Sequence, residues 1–424
     1  MKPAHRAMIL TQISYLDCLA FLLLLTPQLL FQIGVLRTIF WVLLNLPAIV
    51  ITIPIKFLHT RYILPIHKRP PFTRHATAFQ DLVISYVRYA FANLPSSIGR
   101  TFFSRAVSRP FLYFRLLRHG YNPRTLPITE LVRPDFNGLW ICPNPHKEPD
   151  IVIIYAHGGG FAMGSAWFYA EFLLAWLTLL RARGISNPAI LAVEYTLAPD
   201  GVYPTQVQEF SAAYKYALLR TGGQPARICV SGDSAGAALV LSLLLDIARK
   251  RAMQPPGFVA LISPWVALEG GKNVNTASDY LDAETLKMYA GWYLGRSDGD
   301  ADDVANPARC KDPGRWAQAG PKALERTDCS FRKSGKEKAS VSGKTGTGWF
   351  FQGAWFISYG TEEVLADEAR DLVSLLRAAG EDVQCIEDGA IHAWPVASLF
   401  LGENRSTRLR GLQSIVKEMM DKLE

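Results

Sequence analysis

The motif GDSAG at residues 232–236 is the feature of this sequence that most directly indicates a chemical reaction. It has the pattern G-x-S-x-G. It lies between an apolar run at 227–231, typical of a β-strand, and a run of small residues that favours a helix. A serine in such a tight strand-to-helix turn presents its hydroxyl at an exposed tip, where it can attack a carbonyl carbon. The motif therefore predicts nucleophilic acyl transfer by Ser234.

A second glycine-rich motif, HGGGF at residues 157–161, supplies what such a reaction also needs. Attack on an ester creates a negatively charged tetrahedral oxygen, which preorganised backbone N–H groups can stabilise. We assign these donors to Gly158 and Gly159, together with Ala235, which follows the nucleophile. His157 precedes the nucleophile, and we interpret it as a residue that orders the loop by hydrogen bonding.

The general base is identified by the order of residues in the chain. Folds that contain this serine turn carry their triad in the order serine, acid, histidine. Of the eight histidines in the sequence, only His392 follows Ser234. His392 lies just after an apolar run at 383–387, where a triad histidine is expected. It is predicted to take the Ser234 proton and return it to the leaving alcohol.

The acid should follow the apolar run at 355–359. Spacing alone leaves three candidates open there, namely Glu362, Glu363 and Asp367.

The elements that must position these residues alternate between strands and helices. Short apolar runs rich in β-branched residues predict buried strands at 151–156, 189–195, 227–231, 258–263, 355–359 and 383–387. Helical periodicity lies between and after them, at 167–182, 204–220, 235–251, 366–379 and 405–422. This alternation predicts an α/β fold with a mostly parallel, doubly wound sheet, in which ligands bind at the carboxyl ends of the strands.

Taken together, these motifs resemble the hormone-sensitive-lipase-like branch of the α/β-hydrolases. That branch includes microbial carboxylesterases, arylacetamide deacetylase and fungal steryl acetyl hydrolases. The resemblance covers about 150–420, and its motifs are HGGGF, EYTLAPDGVYP at 194–204, GDSAGA, ISPW at 262–265, an E-V-L-A-D stretch and the His392 loop. It implies the α/β-hydrolase fold with a helical lid drawn from about 65–140 and 265–305. In this family the acid begins a D-P-L-x-D-E stretch. That register implies Glu363 as the acid here, with glutamate in place of aspartate.

Composition excludes several other classes of protein. Hydrophobic residues make up 49% of the 424 residues and charged residues 19%, which excludes a disordered chain and a coiled coil. The six cysteines form no C-x-x-C pair, so the sequence indicates neither a zinc site nor a disulfide framework. We expect no metal and no organic cofactor.

The net charge of +8 is unevenly distributed. Residues 1–150 carry 17 Lys/Arg and six Asp/Glu, whereas the remainder is slightly acidic. The same region contains two uncharged runs, 18–36 and 38–55, each about long enough to cross a bilayer core of roughly 30 Å. These runs predict a membrane anchor of one or two helices within residues 1–64. The competing readings are a cleaved signal peptide and buried core helices.

Residues 65–140 are expected to form a basic helical linker or lid segment, and 141–424 the catalytic domain. Within 65–140, the arginine-rich stretch 101–118 fits either a helix on a membrane surface or a helix of a globular lid. The stretch 322–348 is expected to be a disordered loop. Nothing in the chain resembles a nucleic-acid-binding module, so no nucleic-acid partner is expected.

The sequence thus predicts a membrane-anchored serine esterase on an endomembrane such as the endoplasmic reticulum, acting on short-chain esters of lipophilic compounds. Membrane lipid would be contacted through residues 18–55. Two alternatives stay open: an acyltransferase or lactonase that uses the same triad, and a non-catalytic binding protein of the same fold.

Overall fold

The structure is a computed structural model that describes residues 8–269, 273–295, 302–323 and 349–423. The expected disordered loop at 322–348 lies, apart from its first two residues, outside these described residues.

Eight strands form one sheet within the described part of the chain. They are β1 (Ile128–Val132), β2 (Asn137–Ile141), β3 (Val152–Ala156), β4 (Ala189–Glu194), β5 (Ile228–Asp233), β6 (Phe258–Ile262), β7 (Ala354–Gly360) and β8 (Val383–Asp388). Their order across the sheet is β1-β2-β4-β3-β5-β6-β7-β8. β2 is antiparallel to both of its neighbours, and every other neighbouring pair is parallel.

Helices precede, separate and follow these strands. They are α1 (Tyr15–Gln32), α2 (Val35–Pro47), α3 (Ile53–Leu58), α4 (Pro71–His75), α5 (Ala78–Asn93), α6 (Ser96–Phe103), α7 (Arg105–Arg118), α8 (Ala166–Ala182), α9 (Thr205–Arg220), α10 (Ala235–Lys250), α11 (Ala283–Leu294), α12 (Pro313–Ala319), α13 (Ala366–Ala378), α14 (Trp394–Leu401) and α15 (Arg405–Asp421).

The sheet is buried on both faces, as its continuous apolar strands require. Along β3, Val152 and Ile154 face a core shared with α9 and α10, whereas Ile153 and Tyr155 face a second core shared with α8 and α15. A strand with period-two alternation between two apolar cores has no polar face, which explains why the sequence shows unbroken apolar runs. The predicted fold class, with its six strands and five helices, is confirmed.

Two strands were not predicted from the sequence. β1 and β2 form an antiparallel hairpin that extends the sheet next to β4. The expected boundary between residues 140 and 141 therefore falls inside β2, and the end of the 65–140 segment belongs to the sheet. β1 has an exposed outer edge and mixed polar residues, so it carries little of the apolar signal that marks a buried strand.

The arginine-rich stretch 101–118 forms the end of α6 and all of α7. Val107, Leu112 and Leu116 of α7 are buried, and α7 packs against α8 of the central domain. The sequence left open a helix on a membrane surface or a helix of a globular lid. The packing of α7 shows that this stretch belongs to the globular body.

At the N-terminus, two helices are long and apolar enough to cross a membrane. One is α1, and the other is the continuous helix Val35–Ile63, which contains α2, α3 and two π-helical turns, Ala48–Thr52 and His59–Ile63. Membrane anchors and signal sequences share this length and composition.

Candidate active site

Ser234 occupies the turn between β5 and α10. Its φ of 54° and ψ of −120° place it in a region that residues with a side chain rarely adopt. The turn is tight because the chain passes close to β3: a Cβ added to Gly236 would lie 2.1 Å from the carbonyl oxygen of Ala156. The Ser234 N–H donates to the carbonyl of Ile262 at 3.0 Å, which fixes the turn against β6. The sequence thus forms the strained strand-to-helix turn that the glycines predicted.

His392 and Glu363 lie together at the same edge of the sheet. Glu363 follows β7 and His392 follows β8, two neighbouring parallel strands. The Nδ1 atom of His392 lies 3.6 Å from Oε2 of Glu363, and both side chains are almost fully buried. At this separation the two groups form an ion pair once His392 is protonated, but they are too far apart for a hydrogen bond, and little solvent surrounds them.

The other two candidates for the acid point elsewhere. The Asp367 side chain is 88% exposed and pairs with Arg370 in the first turn of α13. Glu362 accepts a hydrogen bond from Ser278 at 3.1 Å, on the lid side of the loop. Within the described residues, Glu363 is therefore the candidate that the structure brings to His392.

Ser263, directly after β6, links the loops that carry Glu363 and His392. Its hydroxyl donates to Oε2 of Glu363 at 2.6 Å and accepts the N–H of Ala393 at 2.9 Å. The N–H of Gly360 donates to the same carboxylate oxygen at 3.2 Å. Ser263 lies in the ISPW motif, which marked the family resemblance but gave no indication of this contact.

Asp279 is a second buried residue that sequence reasoning missed. One of its carboxylate oxygens accepts the N–H of His392 at 3.1 Å, and the other accepts the N–H of Val364 at 2.8 Å. It therefore holds the histidine loop against the residue that follows Glu363. Burial raises the pKa of the Asp279 carboxyl. No local signal marks this residue, which lies in the lid segment about 85 positions before Glu363.

The protonation of His392 reflects three neighbouring carboxylates. Burial by itself lowers the pKa of His392, but contact with Glu363 and the charges of Asp279 and Asp233 outweigh it, so the pKa is raised. An imidazole with such surroundings is a stronger base than a free histidine.

Neither ring nitrogen of His392 has a hydrogen-bond partner within the described part of the chain. The Ser234 hydroxyl and the imidazole are therefore not joined by a hydrogen bond in this structure. Catalytic hydrogen bonds are often long before substrate binds and shorten in the reacting complex.

The HGGGF loop departs from the prediction at Gly158. Its N–H donates to Oδ1 of Asp233 at 2.9 Å, in a fully buried position. It cannot stabilise an oxyanion at the same time, so the assignment of Gly158 as an oxyanion donor is wrong for this geometry. The amides of Gly159, Gly160 and Ala235 carry no such bond in the described residues and remain available. The sequence could not reveal this because the acceptor lies 75 residues away.

Asp233, which directly precedes Ser234, anchors the HGGGF loop. Besides the Gly158 amide, its two carboxylate oxygens accept the hydroxyls of Tyr155 and Tyr169, each at 2.7 Å. These three hydrogen bonds fix the position of the glycine loop relative to Ser234.

His157 orders the loop, as expected. Its Nδ1 atom contacts the carbonyl of Gly158 at 2.8 Å, and its ring stacks on Tyr195 with centroids 4.3 Å apart. Burial lowers the pKa of His157 to about 4, so the ring is neutral near pH 7.

The aromatic residues of the lid are largely core. Trp265, Tyr289 and Tyr293 are fully buried in the same cluster as the sheet. Among the described aromatic pairs, Tyr280 is the one that contacts His392, with ring centroids 5.8 Å apart. Among the described residues, no group of three or more His, Cys, Asp or Glu side chains is placed to hold a metal ion.

The comparisons with known proteins agree with this fold. The model of a family described by its α/β-hydrolase fold matches residues 153–324. A solved esterase of the bacterial hormone-sensitive lipase family is 22% identical and superposes with a TM-score of 0.56, covering 82% of this chain and 98% of its own. At this identity the likeness shows the fold.

Two curated relatives match shorter regions. An acetyl-hydrolase of Streptomyces hygroscopicus is 32% identical over 174 residues, which is 40% of this chain and 54% of the relative. The hormone-sensitive lipase of Mus musculus is 30% identical over 149 residues, which is 34% of this chain and 19% of the relative. The chain thus spans only about a fifth to a half of the length of these relatives.

Proposed function

We propose that this chain, whose motifs and fold are similar to those of the hormone-sensitive-lipase-like branch of the α/β-hydrolases, is a serine carboxylic ester hydrolase. The observation that carries the proposal is the buried pair of His392 and Glu363, 3.6 Å apart, at the strand ends beside the strained turn of Ser234. Ser234, Glu363 and His392 follow three different strands of one parallel set, whose carboxyl ends share one edge of the sheet.

In the proposed reaction the Ser234 hydroxyl attacks the ester carbonyl. His392 accepts the hydroxyl proton on Nε2 and passes it to the departing alcohol. Glu363 faces Nδ1, so it favours the tautomer whose Nε2 accepts a proton and stabilises the imidazolium that forms. Water then attacks the acyl-enzyme with His392 again acting as base, which releases the acid and restores Ser234.

The developing oxyanion would be bound by backbone amides. The available donors are Gly159 and Ala235, and Gly160 completes the set in place of Gly158. Removing a single donor of this kind typically lowers kcat by about 100- to 1000-fold, so the loop geometry set by Asp233 matters for rate.

The experiment that tests the proposal is hydrolysis of p-nitrophenyl acetate by the full chain in detergent micelles. We expect Ser234→Ala to lose hydrolysis and labelling by a fluorophosphonate probe. The matched control is Ser186→Ala, an exposed serine whose hydroxyl donates to Asp150. Hydrolysis that persists in Ser234→Ala but not in a heat-denatured sample would overturn the assignment.

For the substrate we propose short-chain, acetyl-type esters of lipophilic compounds. The support is the similarity to an acetyl-hydrolase and the apolar N-terminal helices, which would hold the enzyme on an endomembrane close to lipophilic substrates. A panel of p-nitrophenyl esters from acetate to palmitate tests the acyl part. A preference for long chains would contradict it.

A further inference from the structure

The N-terminal helices expose an unusual amount of apolar surface. Of the 29 large hydrophobic side chains that are exposed in the described residues, 22 lie between residues 15 and 66. We call these 22 side chains the apolar face. Soluble proteins seldom expose a continuous apolar patch of this extent unless something covers it.

Helix α1 contacts the globular body at both of its ends. Near its start, Asp17 is fully buried and pairs with Arg115 at 3.0 Å and Arg118 at 2.7 Å, both in α7. At its last residue, the Gln32 side chain accepts a hydrogen bond from Thr101 of α6 at 3.2 Å. With 18 residues, α1 is about 27 Å long, and it lies along α6 and α7 over that length.

Contacts in the middle of α1 also show that it lies along α6 and α7. The ring of Phe21 packs against Phe102 of α6 and Phe111 of α7, with centroid distances of 4.6 and 5.0 Å. A helix that crosses a bilayer must have its two ends on opposite sides of a core of about 30 Å. α1 cannot do so while both ends and its centre touch the same two helices.

These two helices are fixed parts of the hydrolase body. Arg115 of α7 also forms two hydrogen bonds, each of 2.8 Å, with Glu171 of α8. In α6, Arg100 donates to the carbonyl of Ala162, next to the HGGGF loop, at 3.1 Å. The support beneath α1 is therefore the folded domain itself.

The second apolar helix, Val35–Ile63, lies along α5 in the same manner. Asn45 accepts the hydroxyl of Tyr89 at 2.5 Å, and the carbonyl of Ile49 accepts that of Tyr86 at 3.0 Å. Sixteen residues after Asn45, Arg61 pairs with Asp81 at 3.5 Å. Contacts over this length again hold the helix against the body.

Several polar side chains of these helices are buried while large apolar ones are exposed. Asp17 and Asn45 are buried against the body, and the buried Thr38 hydroxyl donates to the Leu29 carbonyl of α1, whereas Leu23 and Leu36 are 67% and 83% exposed. Such a distribution suits a helix whose outer side meets hydrocarbon and whose inner side meets protein.

Charge around the apolar face points to the same occupant. Arg37, Lys56, Lys68 and Arg74 are exposed, and Asp17, which is buried, is the only acidic residue between residues 15 and 80. Exposed cations beside an apolar surface complement the headgroups of anionic phospholipids.

We propose that the apolar face inserts into one leaflet of an anionic lipid bilayer, with α1 and Val35–Ile63 parallel to the membrane plane, and that neither helix crosses the bilayer. This inference rests on the proposed membrane attachment and specifies its geometry. The catalytic domain and both ends of each apolar helix then lie on the same side of the membrane.

The geometry can be measured with nitroxide labels on the full chain in vesicles of phosphatidylcholine and phosphatidylserine. Single cysteines would replace Leu16, Leu23 and Leu30, which are exposed along α1. The background would be Cys18→Ala, Cys329→Ser and Cys385→Ala. Collision rates with oxygen and with a polar nickel complex report the depth of each label. We expect all three labels at one shallow depth, whereas a deep Leu23 label between two headgroup-level labels would overturn the in-plane arrangement.

Vesicle partitioning tests the apolar face directly. Leu19→Ser and Leu23→Ser should each weaken partitioning about tenfold, because each removes the burial of a leucine side chain in hydrocarbon. Leu219→Ser is the matched control, since Leu219 is 79% exposed but lies far from the apolar face in the sequence, on α9. Omitting phosphatidylserine should weaken binding of the unmodified chain as well.

The outcomes separate the two levels of the proposal. If the chain does not bind vesicles at all, membrane attachment itself fails, whatever its esterase activity. If it binds but the depths follow a spanning helix, attachment stands and the in-plane geometry fails. If the labels are shielded from lipid and oxygen and the protein sediments as a dimer, the apolar face is an interface between two copies.

Discussion

Replacing Glu363 by glutamine should lower kcat by about a thousandfold while leaving the fold intact. The substitution keeps the size and the hydrogen-bonding shape of the side chain but removes its charge. The matched control is Asp367→Asn, which makes the same chemical change at the exposed carboxylate of the competing candidate.

The magnitude follows from the geometry of the pair. At 3.6 Å and an effective dielectric constant of about 20, a carboxylate stabilises an imidazolium by about 4 to 5 kcal/mol. Both side chains are at most 2% exposed, so solvent screens this interaction little. About 1.4 kcal/mol corresponds to a factor of ten, which gives roughly three orders of magnitude in rate.

The amide has a second effect on the tautomer of His392. Its NH2 group can donate to Nδ1, which then moves the ring proton to Nε2 and leaves no acceptor for the Ser234 proton. Both effects act on the transition state, so KM should change little.

The assay is steady-state hydrolysis of p-nitrophenyl acetate, with circular dichroism to verify that both variants fold. If Glu363→Gln keeps more than a tenth of the activity and Asp367→Asn loses most of it, the acid lies on α13 and the reasoning from the buried pair is refuted.

Three further predictions concern the residues around the pair. Glu363 and its neighbouring carboxylates raise the pKa of His392 despite burial, so the acid limb of log(kcat/KM) should lie above pH 6.5. The limb should move to lower pH in Glu363→Gln. A limb below pH 6 in the unmodified chain would contradict this. Asp279→Asn should lower kcat more than it raises KM, because the amide cannot accept both the His392 and Val364 N–H groups. It should also shift the acid limb of log(kcat/KM) to lower pH, which a merely structural change would not do. Asp233→Asn leaves one of its three buried donors unsatisfied, so it should destabilise the fold by about 1–3 kcal/mol in thermal unfolding and reduce kcat; unchanged values of both would exclude an anchoring role.

The fold, and most residues of the candidate site, could be predicted because their signals are local. The strands of a doubly wound sheet are buried on both faces and read as unbroken apolar runs, which is why β3 and β5 were placed within a residue or two. Ser234 and the HGGGF loop are marked by glycines that a tight turn requires, and His392 by its position after Ser234. β1 carries no such pattern because its outer edge meets solvent.

The errors and omissions concern contacts between residues far apart in sequence. The backbone of Gly158 looked free in the sequence, but the Asp233 carboxylate takes its N–H. Ser263 and Asp279 are ordinary polar residues until β6 and the lid bring them to the acid and base loops. A motif shows which residues are suited to a reaction, whereas tertiary structure decides which hydrogen bonds they still have available.

The N-terminal helices show the same limit for membrane geometry. A hydropathy profile shows where a chain has an apolar run and how long the run is. By length and hydropathy, α1 and Val35–Ile63 both qualify as spans. Whether a run crosses the bilayer depends on where its ends are held. The start of α1 is held by the pairing of Asp17 with Arg115, 98 residues away. A single buried carboxylate in the first turn of an apolar helix is therefore informative: it must be paired, and its partner shows which surface the helix lies on.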